Sequence, residues 1–291
     1  MRSIREFLGR TLLAEGGRDA ASAGPKTVSD LFDAVYVINL DRREDRWARM
    51  QTRLDRAGIA AERWPAIDGK MPEVEALYQA HLDAHPRHPG RPEATLDLSL
   101  YRSGDHAARV DALSDAWGGP TLNSAGSLAY LMSWCALLEQ SIAKGHRAIL
   151  VLEDDVVFRR DFASAFEQAA ARLPADWAVL QLGTLRPRRL PRRRWWSRHL
   201  FMNEGYSVGS HAVGLSERVL PEMLDLVRRR DCVIDDGALS TLTWRHRDRA
   251  FVTLPDLAIQ DMADSDIGND RQADFARFAK RYRWNLADYD F

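Results

Sequence analysis

Three adjacent carboxylates, Glu153-Asp154-Asp155, close an apolar run in AILVLEDDVVF (residues 148–158). Acids this close repel one another and are costly to bury unless something cationic sits among them. That cation is either a metal or an arginine. Carboxylate oxygens suit a hard divalent ion such as Mg²⁺ or Mn²⁺, and an ion held by one or two of them keeps positions open for phosphate oxygens. The structural alternative is that Asp154 or Asp155 caps the next helix or pairs with Arg159 and Arg160. His211, in GSHAVG, offers a further metal ligand or a donor to phosphate, or is simply hydrogen-bonded within a strand.

These groups need elements to position them. Ala148–Leu152 is short, rich in branched residues and preceded by a helix-ending Gly145, which suits a strand buried on both faces. AVYVINL (34–40) reads as another strand. The helix that follows it shows Trp47, Met50, Leu54 and Ala57 on one face and ends at Gly58. AERWPAID is strand-like and closes on Asp68-Gly69. SLAYLMSWCALLEQSIAKG is a largely buried helix feeding AILVL, and DFASAFEQAAARL is an amphipathic one. WAVLQLG, YSVGSHAVGLS and FVTLP read as strands, with a helix in SERVLPEMLDLVRRR. This alternation predicts a single α/β domain over 31–291, built on a mainly parallel twisted sheet flanked by helices. Such sheets bind ligands beyond the carboxyl ends of their strands. Asn39–Arg46, Asp68-Gly69 and Glu153–Asp155 all fall there, so one shared site is expected. No Gly-rich phosphate loop of the dinucleotide or P-loop kind occurs.

Composition narrows the classes. The chain has 291 residues, 45% hydrophobic and 29% charged, the balance of a globular protein with a sizeable core. A net charge of −1 gives no overall field toward nucleic acid. The two cysteines, Cys135 and Cys232, are too few and too far apart in sequence to announce a zinc site, and their apolar surroundings favour buried thiols in a reducing compartment. No run is long enough to span a membrane, so the expected location is cytoplasmic. Residues 1–30 read as an amphipathic segment (Ile4, Phe7, Leu8, Leu12) and a small-residue linker. The turn-rich stretch 70–120 and the stretch 186–201, with seven arginines and a Trp pair, are expected surface excursions. The second is either a solvated loop or a contact for an anionic acceptor or the anionic inner face of a membrane.

VYVINLDRREDRWARM, WPAIDG, AILVLEDDVVF and LAIQDMADSDIGND, in that order, resemble the glycosyltransferases of family 25, which include lipopolysaccharide-biosynthesis and collagen galactosyltransferases. The resemblance covers roughly residues 34–270. It implies the fold called GT-A, a UDP-sugar donor, and an inverting transfer of a hexose, galactose foremost, to a hydroxyl of a cell-surface glycan or glycolipid. It makes LEDD the Asp-x-Asp-type metal motif, with Glu153 and Asp155 on Mn²⁺ or Mg²⁺ and Asp154 on the nucleotide side. Asn39, Asp41, Arg42, Arg46, Asp68 and Gly69 become the nucleotide pocket, where a guanidinium suits diphosphate. Otherwise Asp41 caps the helix, and Arg42, Arg43 and Arg46 are solvated partners of nearby acids. By resemblance Asp235 or Asp236 is the base that takes the hydroxyl proton, against the alternative that Asp236 caps the following helix; Asp266 is the other candidate base. There are two departures. Tyr130-Leu131 stands where the family carries a Ser-His pair, and Ser124 lies where an acid precedes the helix. They point to another donor, another acceptor, or a non-catalytic nucleotide- or glycan-binding member. A metal-dependent phosphoesterase using the same acids is the remaining rival. The length of 70–120 suggests a lid on the acceptor side.

Overall fold

AVYVINL forms strand β1 (Ala34–Leu40), and the alternating faces of its branched residues are buried on both sides. The computed structural model describes residues 26–85, 103–185, 196–203, 209–261, 279–280, 282 and 284–291. Residues 1–25, most of 186–201, and Asp266 lie outside the described residues.

A short helix α1 (Val28–Leu31), fixed by a Thr27–Asp30 capping box, leads into β1. It begins within the segment 1–30 expected to end in a linker, yet Val28 packs in the core, with Phe32 just beyond it. Helix α2 (Glu44–Ala57) buries Met50, Leu54 and Ala57, with Trp47 packed partly beside them, and stops at Gly58 in the left-handed conformation. Strand β2 (Glu62–Ala66), helices α3 (Pro72–Ala84) and α4 (His106–Trp117), and the long helix α5 (Ala125–Ala143) precede strand β3 (Ala148–Glu153). Val74, Tyr78 and Leu113 are buried, so the flanks of the 70–120 excursion are part of the body and not only a surface appendage. Then come β4 (Val156–Phe158), α6 (Phe162–Ala170), β5 (Val179–Gln181), β6 (Leu200–Met202), β7 (Ala212–Ser216) and α7 (Leu220–Arg228). A π-helical turn (Ile234–Leu239) runs into α8 (Ser240–Arg245), followed by β8 (Ala250–Thr253) and β9 (Ala258–Gln260).

Seven strands form one sheet in the order β2-β1-β3-β7-β5-β8-β6. β2, β1, β3, β5 and β8 run one way, while β7 and β6 run against them. One core, under α3, α5 and α7, takes Tyr36, Ile149, Val151, Val213 and Leu215. The opposite core, under α1, α2 and α6, takes Val37, Leu150, Leu152 and Phe251. Ile149 to Leu152 are each 0% exposed. At about 1.5–3 kcal/mol for each buried side chain, β3 is a rigid mount for whatever follows it. Trp196, of the arginine-rich stretch, is anchored and not offered to a ligand: its Nε1–H donates to the Arg172 carbonyl at 2.9 Å and its ring meets Phe251 edge-on.

Candidate functional site

β3 ends at Glu153 and Asp154-Asp155 form the turn into β4, so the three acids do not share one environment. Asp154 turns toward α2. Its Oδ2 accepts from Asn39 Nδ2 at 2.7 Å and its Oδ1 from Arg46 Nη1 at 2.9 Å. Asn39 is held in turn by Arg63 Nε at 2.8 Å, and both members of the Arg46–Asp154 pair are buried. For the middle acid, the required cation is therefore an arginine.

Glu153 turns toward α5. Its Oε1 accepts from Tyr130 and Ser210 hydroxyls, both at 2.7 Å, and its Oε2 from Gln260 Nε2 at 3.0 Å. Burial raises its pKa, opposed by the Ser210 and Tyr130 hydrogen bonds and assisted by the charges of Asp235 and Asp154. Tyr130 thus occupies a working position where the resemblance leads one to expect a Ser-His pair. Asp155 Oδ1 is buried with no hydrogen-bond partner among the described residues. Burial, then the charges of Glu153 and Asp154, push Asp155 well above the ordinary carboxylate range; Arg46 opposes this and Asp261 adds to it.

Ser210 reaches Glu153 because β7 is antiparallel to β3. Leu152 pairs with Ala212, so the chain enters β7 at the edge where β3 ends. Sequence cannot distinguish a buried antiparallel strand from a parallel one, which is why Ser210 escaped notice.

A cavity of about 330 Å³ opens beside these acids. Its walls are the end of β1, the Ala66–Lys70 turn, the first turn of α5, and Glu153–Asp155, with Arg42, Arg46 and Glu75 at its border. Arg42 Nε binds Asp68 at 2.7 Å, and the backbone N–H of Lys70 closes on Asp68 Oδ1 at 3.0 Å. Ile67 N–H donates to Ser133 Oγ at 2.8 Å, strapping this turn to α5. Gly69 is required there, because a Cβ would lie 2.7 Å from the Gly126 backbone. Gly69→Ala should therefore cost about 1–3 kcal/mol, the scale of overpacking. Urea denaturation checks it, and an unchanged midpoint would mean the turn has slack.

The structure also separates residues. Asp41 is exposed, sits 3.6 Å from Arg63 and does not border the cavity; it is not the cap of α2, whose N-cap is Arg43, with no side-chain capping bond. Arg43 pairs with Asp45 at 2.9 Å. Asp235 and Asp236 lie in the first turn of the π-helix, whose N-cap Val233 provides no side-chain bond, so neither acid caps it. They are half-buried, and the charge of Asp235 reaches Glu153. His211 is fully buried and off the cavity wall, and its Nε2 lies 3.2 Å from the Ala258 carbonyl. A carbonyl only accepts, so Nε2 carries the proton. Burial lowers its pKa to about 4, leaving the ring neutral at neutral pH. Among the described residues, Glu153, Asp155 and His211 do not bring three ligand atoms within 4.8 Å of one another; His106, Asp231 and Cys232 do. No described helix is long and apolar enough to cross a membrane.

Residues 32–191 match the family described as Glycosyltransferase family 25 (LPS biosynthesis protein). Inactive glycosyltransferase 25 family member 3 of Homo sapiens is 28% identical over 155 residues, 52% of this chain and 22% of that protein. Procollagen galactosyltransferase 1 of Danio rerio is 27% identical over 159 residues, 53% of this chain and 22% of that protein. A glycosyltransferase 25 family member of Drosophila melanogaster is 42% identical over 48 residues, 16% of this chain and 8% of that protein. The match with the human and zebrafish relatives spans less than a quarter of their length. With more than half its length matched, and with a mostly parallel α/β sheet of the GT-A kind carrying the acids at a strand end, the chain belongs to glycosyltransferase family 25.

Proposed function

We propose that this chain is an inverting, metal-dependent hexosyltransferase. It moves galactose from a UDP-sugar to a hydroxyl of a cell-surface glycan or glycolipid, such as lipopolysaccharide. The observation that carries this reading is Asp155 Oδ1: a buried carboxylate oxygen without a hydrogen-bond partner among the described residues, crowded by acids, beside a cavity. The name of the zebrafish relative supports galactose, and the family description supports the acceptor class.

The residues present fit a hard divalent ion. Among the described residues Asp155 Oδ1 has no partner, and Glu153 Oε2 has one donor where a carboxylate oxygen takes about two. Mn²⁺ or Mg²⁺ held by Asp155 and Glu153 would neutralise charge gathering on the departing diphosphate. The first turn of α5 borders the same cavity, and a helix start is a setting suited to phosphate oxygens. Arg42 and Lys70 add positive charge at its mouth. Arg46, fixed by Asp154, forms the wall. In the transfer, the acceptor hydroxyl oxygen bonds to the anomeric carbon as that carbon's bond to the β-phosphate oxygen breaks. The electron pair leaves with UDP, and the hydroxyl proton passes to Asp235 or Asp236. Asp266, the other candidate base, lies outside the described residues.

The test is calorimetric titration of UDP with and without Mn²⁺, on the wild type and on Glu153→Ala/Asp155→Ala. Expected is metal-dependent binding that weakens about 100-fold or more in the variant, since even outer-shell losses reach that scale. A donor and acceptor screen follows, in which the true base, replaced by Asn, lowers kcat about 10²–10⁴-fold and its neighbour does not. Metal-dependent UDP binding without turnover would instead make this a binding member, consistent with Tyr130-Leu131 and with the human relative named inactive. Phosphate release without a glycoside product would indicate a phosphoesterase.

A further inference from the structure

We propose that His106, Asp231 and Cys232 form a second metal site, for a borderline-soft divalent ion of the Zn²⁺ class, which clasps α4 to the turn carrying Asp235 and Asp236. The site is separate from the cavity and does not rest on the transferase reading. His106 opens α4; Asp231 and Cys232 follow α7. His106 Nε2 lies 2.9 Å from Asp231 Oδ1 and 3.7 Å from Cys232 Sγ, and all three ligand atoms fall within 4.8 Å of one another. Tetrahedral bonds of about 2.0–2.3 Å place such atoms about 3.3–3.6 Å apart, and the two distances to His106 Nε2 lie within a few tenths of an ångström of that spacing. Nitrogen, thiolate and carboxylate together are a donor set for zinc and not for Mg²⁺ or Ca²⁺.

The surroundings are built around these three groups. His106 Nδ1 meets Thr241 Oγ1 at 3.1 Å, the outer-shell contact that fixes a ligating imidazole with Nε2 toward the metal. Thr121 Oγ1 donates to the Asp231 carbonyl at 3.2 Å. Gly237 leaves room for the sulfur: a Cβ there would sit 2.1 Å from Cys232 Sγ. His106 and Cys232 are 2% and 1% exposed, while the Asp231 side chain is 31% exposed, leaving a path of entry. Separately, His81 Nε2 on α3 is buried without a hydrogen-bond partner among the described residues, and the Asp231 charge reaches its ring. A water would complete the fourth position. Cysteine count alone argues against zinc; the fold supplies the other ligands from distant segments.

The experiment uses the full-length protein, stripped with chelator and titrated with Co²⁺, then Zn²⁺. Expected are a thiolate-to-cobalt charge-transfer band in the near ultraviolet and intense tetrahedral bands in the visible, both displaced stoichiometrically by Zn²⁺. Cys232→Ser and His106→Gln abolish the charge-transfer band or weaken cobalt binding at least tenfold. Cys135→Ser and Glu153→Ala/Asp155→Ala retain it, separating this site from the cavity. Zn²⁺ raises the Tm of the wild type and not of Cys232→Ser. Folded wild type without a thiolate band, or a band that survives Cys232→Ser, overturns the proposal; the wild-type spectrum alone decides it if a variant fails to fold.

Discussion

Asp155→Asn is expected to raise the thermal midpoint of the metal-free protein at neutral pH and, on the proposed function, to abolish Mn²⁺-dependent nucleotide binding. Asp155 is crowded by Glu153, Asp154 and Asp261, and its buried Oδ1 has no hydrogen-bond partner among the described residues, so ionisation is harder in the folded chain than in the unfolded one. The sign follows from this. A carboxyl whose folded pKa lies above its ordinary 3.8 binds its proton more tightly in the native state, so stability falls as pH rises from about 4 through the folded value. At neutral pH the wild type carries that cost and an amide does not. Each unit of elevation corresponds to about 1.4 kcal/mol. A gain of at least about 1 kcal/mol, or about 2–4 °C, is expected by calorimetric melting, shrinking toward pH 4. Mn²⁺ with UDP should reverse the order, stabilising the wild type only. A variant that melts lower than the wild type without metal would mean that Asp155 is already satisfied.

Arg46→Met should be the most damaging single change near the site. Arg46 and Asp154 are 7% and 9% exposed and joined at 2.9 Å, so removing the guanidinium strands a buried carboxylate with Asn39 as its remaining named partner. Breaking such a pair costs about 3–5 kcal/mol. Adding Asp154→Asn to Arg46→Met removes the stranded charge and should recover a large part of the loss in urea denaturation. Recovery of nothing would show that packing, not charge, sets the cost. The exposed Arg49–Asp45 pair on the same helix, 49% and 57% exposed, is the control, worth about 0.5 kcal/mol or less.

The sequence disclosed elements in proportion to their length and periodicity. β1, α2, α5 and β3 were legible because each carries a long apolar pattern of one period. β4, β6 and β9 have three residues each, too few for any period to register. The π-helical turn escaped because its signal is spatial: Gly237 makes room for Cys232 across the turn. For the site, the cluster Glu153–Asp155 was visible, but not the division of labour within it. That division depends on what stands on each side of β3: Arg46 and Asn39 on one, Tyr130, Ser210 and Gln260 on the other. Arg46, a nucleotide-pocket residue by resemblance, also holds Asp154, a partner 108 residues away that no linear pattern shows. Tyr130 read as a loss because a hydroxyl on Glu153 has no linear signature.

The antiparallel insertion of β7 also dictates when the acidic edge can mature. When the ribosome has delivered β1 through β5, Arg46 can already meet Asp154, but Glu153 has Tyr130 as its only donor among these three. Ser210 arrives 57 residues after Glu153, and Gln260 arrives 107 residues after it. At about 5–20 residues per second, a nascent chain spends several seconds or more with β3's far edge unpaired and an incompletely neutralised carboxylate at its tip. The charge that strains the finished edge also guards the growing one, since an acidic strand end is a poor template for another chain. Truncations that stop short of β7 should thus yield soluble but incompletely packed chains, rather than a smaller functional half.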